Sequence, residues 1–332
     1  MLDAVKPTIN QKGYAMTTPD STHTPKVDPS NYSIGGQAIV EGVMMRGKYI
    51  YSLAIRKPDS TIHIENHEVK NSSKESKIRK LPIIRGIFAF INSMIIGIKI
   101  MTRSAEIAGE FDDEQPSKFE KYLEAKFGDK LTDILVFLSL IIALAFSVTL
   151  FMLLPVVITS FLNRFLGIQT WALGISEGLV RICIFLAYIY MISKLKDIQR
   201  VFMYHGAEHK TINCHESNED LTVENVMKHS RLHKRCGTSF LLIVMAISML
   251  VFMFVRTDVV LYRLVSRVLL VPIIAGMSYE IIRWAGKSDS VFVNIVSKPG
   301  LALQKLTTRE PDAEQIECAI AAMNEVLQND KK

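Results

Sequence analysis

Long apolar stretches alternate with charged connections through the second half of the chain. They occupy residues 131–154, 171–192, 238–255 and 259–284. Each comes close to or exceeds the roughly 20 residues that a helix needs to cross the hydrocarbon core. The pattern predicts an α-helical polytopic membrane protein with about four transmembrane helices. An earlier apolar stretch, 83–101, is interrupted by Asn92 and Ser93 and carries Arg85 and Lys99 near its ends. That mixture predicts an interfacial helix. Before it the period changes from helical to two. Residues 51–56 and 61–65 gather β-formers around Lys57-Pro58-Asp59-Ser60, the signature of a hairpin. The run Ile34-Gly35-Gly36-Gln37-Ala38-Ile39-Val40-Glu41-Gly42-Val43-Met44-Met45-Arg46-Gly47 predicts a tightly packed strand-turn element. Its glycine spacing matches neither a dinucleotide fingerprint nor a phosphate loop.

These elements divide the chain into parts. Residues 1–31 are rich in Thr, Pro, Ser and Asp and read as a disordered tail with no secretory signal. Residues 32–80 form a small β-rich unit, and 81–130 hold interfacial and amphipathic helices. Residues 131–284 form the four-span membrane domain, with a connection at 193–237. Residues 285–332 are a connector over 299–308 and an amphipathic helix over 311–327, expected to pack on the β unit through Ile316, Ala319, Ile320, Met323 and Leu327.

Composition supports the membrane reading. Of 332 residues, 49% are hydrophobic, and the mean hydropathy is +0.22. The formal charge of +6 is modest, and no aromatic-basic platform for nucleic acid accompanies it. The basic residues instead orient the spans. Lys194, Lys196, Arg200, Lys210, Lys228, Arg231, Lys234 and Arg235 fall in the 193–237 connection, whereas 155–177 carries only Arg164. Both termini and the longer connection are therefore expected in the cytoplasm, on the inner membrane of the cell. Arg256, Arg263 and Arg267 oppose that orientation unless they snorkel or the fourth span is partly re-entrant. Glu177 and Arg181, at i and i+4, are expected to neutralise each other. Cys183, Cys214, Cys236 and Cys318 lie far apart, a poor disulfide framework.

The candidate chemistry lies in Tyr204-His205-Gly206-Ala207-Glu208-His209-Lys210-Thr211-Ile212-Asn213-Cys214-His215-Glu216. On a helix, His205, Glu208 and His209 project from one side. H-x-x-E-H is the inverted zinc-hydrolase pattern, with imidazoles on the metal and the glutamate acting on its water. No helix breaker separates this motif from the second span. A continuous helix would put His205 roughly 18 Å past Ser193, at about 1.5 Å rise per residue. A further helix is expected over 223–233, N-capped by Thr222, and leads into His229, His233 and Cys236. His205 and His209 with one of Cys236, His233 or Cys214 would leave an open, catalytic position. His205, His209, Cys214 and Cys236 would close a structural site. Arg235 can anchor to lipid phosphate or stabilise an oxyanion, and His229 reads as a solvated histidine.

Several motifs resemble the YqhQ-like family of bacterial membrane proteins, a domain of unknown function described as metal-dependent enzymes. They are the 35–47 glycine-rich run, the 204–214 histidine run, Arg235-Cys236-Gly237-Thr238-Ser239-Phe240 and Leu306-Thr307-Thr308-Arg309-Glu310-Pro311. The resemblance covers about 32–327. It implies a membrane location and a metal, and supplies no substrate. By motif match it carries over His205, Glu208, His209, Cys214, His233 and Cys236.

The resulting expectation is a metal-dependent membrane hydrolase. Glu208 and Arg235 are its catalytic candidates, and His205, His209, Cys214, His233 and Cys236 its candidate ligands for zinc or a similar divalent ion. The alternative is a non-catalytic scaffold with a structural metal that docks a cytoplasmic protein. A transporter is disfavoured, because no inverted repeat is visible.

Overall fold

The computed structural model describes residues 34–69, 81–109, 131–167, 170–234, 236–254, 260–285 and 291–330. The tail, residues 70–80, the part of the expected 81–130 helices beyond Gly109, and Arg235 lie outside these residues.

The β-rich unit is a four-stranded antiparallel meander. Its strands are β1 (Gly35–Ile39), β2 (Gly42–Arg46), β3 (Ile50–Arg56) and β4 (Ile62–Glu68), in that spatial order. The hairpin expected around Lys57-Pro58-Asp59-Ser60 joins β3 and β4, with Ser60 at φ 64°. A two-residue turn at Val40 and Glu41 joins β1 to β2, and there Glu41 has φ 50°. Gly42 follows it because β3 runs close by: a Cβ there would lie 2.2 Å from the Ala54 carbonyl oxygen.

β2 and β3 bury both faces, so their sequences are continuous apolar runs rather than alternations. Val43, Met45 and Ala54 face one side, where helix α5 (Lys196–Glu216) and helix α10 (Ala313–Asn329) pack. Met44, Leu53 and Ile55 face the other, against Ile100 of helix α1 (Ile84–Ala108). The terminal helix docks as expected, with Ile316, Ala319 and Met323 fully buried. Its start carries a full capping box between Asp312 and Gln315.

The remaining helices are α2 (Leu131–Val148), a π-helical turn (Thr149–Leu153), α3 (Leu154–Leu166), α4 (Thr170–Ile192), α6 (Val223–Lys228), α7 (Gly237–Phe254), α8 (Val260–Ala285) and α9 (Val291–Thr307). Among the described residues, three stretches are long and apolar enough to cross a membrane: Ile84–Ala108, Phe137–Leu166 and Ala172–Ile192. The first of these is the stretch that the sequence assigned to the interface. α7 is apolar but shorter over Leu241–Phe254. α8 is long but charged, with Arg263, Arg267, Glu280 and Arg283 along it.

Other expectations are corrected. α4 does not run on into the histidine motif. It ends at Ile192, and Leu195, with ψ 133°, starts α5 afresh. No Gly or Pro makes this break; Arg309 and the Gln199 side chain bond the Ser193 and Lys194 carbonyls, which a continuous helix would have used internally. The helix expected over 223–233 stops at Lys228, although Thr222 does cap it by accepting from Asn225 N–H. The 299–308 connector is mostly the second half of α9, which carries Pro299 inside it.

Glu177 pairs with Arg267 of α8 rather than with Arg181. Arg267 is buried and does not snorkel. Arg181 Nε donates to the Phe151 carbonyl at 2.9 Å. Pro155, four residues on, has no N–H to offer that oxygen, so the guanidinium replaces the missing helical donor. Both guanidinium groups also lie over the Phe252 ring, at 5.0 and 5.2 Å from its centroid.

Candidate metal centre

The centre is assembled from three pieces of chain: α5, the 229–236 loop, and the end of α9 with the strap that follows it. The strap crosses α5 at Gly206, where a Cβ would lie 2.0 Å from the Arg309 carbonyl oxygen. Arg309 N–H donates to the Phe202 carbonyl, which fixes the crossing. Only glycine permits backbone to approach a helix so closely.

The loop is held at several points. Lys210 Nζ donates to the Met227 and His229 carbonyls at 2.9 and 2.7 Å, and the Asn213 side-chain amide to the Ser230 carbonyl at 2.7 Å. Gln304 of α9 pairs with His233 through both backbone groups, accepting from N–H at 2.9 Å and donating to C=O at 2.8 Å. Arg231 binds Thr308 and Glu310 of the strap, and Glu310 also meets Lys210 at 3.0 Å. Lys210 is thus engaged in anchoring the loop.

These anchors bring together His205, His209 and Cys236, whose ligand atoms all lie within 4.8 Å of one another. His205 Nδ1 donates to the Thr307 carbonyl at 2.8 Å, and His209 Nδ1 to the Arg231 carbonyl at 2.7 Å. A carbonyl only accepts, so each Nδ1 carries the proton and each Nε2 presents its lone pair. His205 Nε2 is 3.3 Å from Cys236 Sγ, and His209 Nε2 is buried without a hydrogen-bond partner. Thr238 N–H donates to the Cys236 sulfur at 3.4 Å. Burial, with the neighbouring His205 charge, holds His209 down to about 3, and burial also lowers His205. Both rings are neutral at pH 7, the form that binds metal.

The residue types and the orphaned nitrogen fit a divalent ion. Outer-shell carbonyls on both Nδ1 atoms are the usual means of orienting ligand imidazoles. Two nitrogens and a sulfur suit zinc.

The other predicted site residues lie elsewhere. Cys214 faces away from this cluster, near Glu219 and His229. The His233 ring is 5.8 Å from that of His209 and its Nε2 is 3.5 Å from Glu216. Glu208 is buried one turn from His205, under Gly36 of β1, and burial raises its carboxyl to about 8. The carbonyls of Thr307 and Arg231 escaped the sequence reading, because a backbone acceptor leaves no residue-type signature. The Thr307-Thr308-Arg309-Glu310-Pro311 run was the available signal.

The 35–47 run also has its explanation here. Glu41 accepts from Arg200 at 2.6 Å and from the Tyr204 hydroxyl at 3.2 Å, tying the β1–β2 turn to α5 just ahead of His205.

A family model described as a protein of unknown function, DUF1385, matches residues 81–329. A protein of Bacillus subtilis (strain 168), "Uncharacterized protein YqhQ", is 39% identical over 309 residues, covering 91% of this chain and 93% of that one. No solved structure matches the chain. With that family match taking in every candidate ligand, and a relative similar along nearly its whole length, the chain belongs to the DUF1385 family of YqhQ-like proteins.

Proposed function

We propose that the chain is a metal-dependent membrane enzyme of the hydrolase class, in which His205, His209 and Cys236 hold a divalent ion, zinc before others. One observation carries this reading: the convergence of three ligand atoms within 4.8 Å, with both imidazoles oriented from behind. Three protein ligands leave a coordination position for substrate or water, whereas structural zinc sites close with four. An ion bound there supplies Lewis acidity toward a carbonyl or phosphoryl oxygen. Thr307 and Arg231 hold the imidazoles in one tautomer, and Thr238 holds the Cys236 sulfur. Glu208, buried on the same helix, is the residue to which this reading gives the proton transfer.

The site faces the cytoplasm in this reading, on the side that carries the Lys and Arg residues of 193–237. α1 then lies along that interface rather than crossing. Gly86 meets Gly276 of α8 near one end of α1, and Ile100 and Ser104 meet the sheet near the other. Residues 70–80, which join the sheet to α1, include Lys70, Lys74, Lys77, Arg79 and Lys80 and are too charged to traverse lipid. Both ends of α1 therefore stay on the sheet's side.

A structural metal in a docking scaffold is the competing reading, and His233 favours it, because a ring 5.8 Å from His209 can close a fourth position. Metal content of the full chain purified in detergent distinguishes the two. Loss in His205→Ala and Cys236→Ser, with retention in His233→Ala and Glu208→Gln, supports an open site. Loss in His233→Ala supports the scaffold. Loss in Glu208→Gln refutes the proton-transfer role, and a wild-type chain that takes up no zinc on reconstitution refutes the metal itself. Hydrolysis of ester and phosphoester probes by wild type but not Glu208→Gln is the catalytic readout.

A further inference from the structure

Cys214 and His229 do not belong to the centre around His205, yet they meet each other. Cys214 Sγ, a Glu219 carboxylate oxygen and a His229 ring nitrogen all lie within 4.8 Å of one another, where the last turn of α5 faces the end of α6. Cys214 is wholly buried. His229 Nε2 is buried too, and although it lies 3.3 Å from Glu219 Oε2, it has no aligned hydrogen-bond partner. A buried nitrogen left in this way costs free energy unless something binds it. Glu219 reaches the pair from the solvent side, with its side chain about half exposed.

We propose that Cys214, Glu219 and His229 form a second divalent-metal site of the zinc type. Thiolate, imidazole and carboxylate are zinc's ordinary ligands, and water reaches a fourth position past the exposed Glu219. The location gives the site a purpose. The 229–236 loop supplies the Arg231 carbonyl that orients His209, and it ends at Cys236. An ion at His229 pins the beginning of that loop to α5, so a metal-binding residue stands at each end of it. The Asn218 residue (φ 57°) turns the chain so that Glu219 comes back toward Cys214. The proposal does not depend on an ion at His205.

The test uses the full chain in detergent, stripped by chelator and reconstituted with zinc alone, and then with cobalt. Wild type is expected to take up about two zinc ions per chain. Cys214→Ser and His229→Gln should each take up about one, and so should Cys236→Ser. In Cys236→Ser the cobalt form should keep a thiolate-to-metal charge-transfer band, and adding Cys214→Ser should abolish it. Glu219→Gln, at an exposed position that leaves the core intact, should weaken that one equivalent and serves if a buried variant misfolds. One equivalent in wild type, unchanged by Cys214→Ser and Glu219→Gln, overturns the second site and leaves the first. One equivalent lost in Cys214→Ser but kept in Cys236→Ser supports the second site and refutes the first. No uptake at all refutes both.

Discussion

Glu208 is packed directly under the Cα of Gly36: a Cβ on that glycine would lie 2.6 Å from Glu208 Cγ and 2.7 Å from its Oε1. The β unit thus forms the floor beneath the carboxyl group of the H-x-x-E-H motif. Gly36→Ala must displace Glu208 or spread β1 from α5, and overpacking of this kind costs about 1–3 kcal/mol. Thermal unfolding in detergent should show that loss. In a Glu208→Ala background, where the space has been vacated, the same substitution should cost far less. Equal costs in both backgrounds would show that Glu208 is not what the glycine makes room for.

The end of α10 is built to hold the β2–β3 turn. Asp330 is buried, and its carboxylate accepts from three successive backbone N–H groups, Lys48 at 2.8 Å, Tyr49 at 2.5 Å and Ile50 at 3.0 Å. Gly47 is required beside it, because a Cβ would lie 2.5 Å from the carboxylate. Asp330→Ala removes the shared acceptor of those three donors and should destabilise the sheet unit by about 2–3 kcal/mol. Hydrogen exchange resolved by residue should show faster exchange at 48–50 in the variant. Unchanged protection would mean that the turn is held by its own ladder.

How much of this was legible in the chain varies with the kind of interaction. The β3–β4 hairpin was readable because Pro58, Asp59 and Ser60 announce a turn between β-formers. The convergence of His205 with His209 needed only helical spacing. The break before α5 was not readable, because it is made by Arg309, more than a hundred residues away, bonding Ser193. The expected Glu177–Arg181 pair failed for a related reason. Helical spacing offers a partner at i+4, but Pro155 leaves the Phe151 carbonyl open and Arg181 goes there, so Glu177 takes Arg267 instead. The separation of Cys214 from Cys236 depends on which way a short loop turns after Lys228, and residue types do not encode that.

The contact between β4 and α1 is pH-sensitive. Burial alone would raise the Glu65 carboxyl, but hydrogen bonds from Arg103 and His63, with their charges, outweigh it and hold the group at about 2. A carboxyl depressed in the folded state stabilises it above the unfolded value near 4.5, and that contribution disappears as pH falls toward about 2. Arg103 is half exposed, so screening limits the gain to about 1 kcal/mol. Wild type should therefore lose its stability advantage over Glu65→Gln between pH 4.5 and 2. A gap that persisted at the acid end would assign the effect to packing instead of charge.

The Glu177–Arg267 pair carries the strongest stability prediction, since both side chains are almost completely buried, at 3% and 4% exposure. Removing one partner takes this ion pair away from a charge that remains buried from water. Glu177→Leu or Arg267→Leu should each cost about 3–5 kcal/mol. The double variant should recover most of that loss, because two apolar side chains suit the surroundings at least as well as a desolvated ion pair. Midpoints of thermal aggregation for the four proteins, in one detergent, give the coupling directly. Additive losses would mean that each residue serves a separate partner.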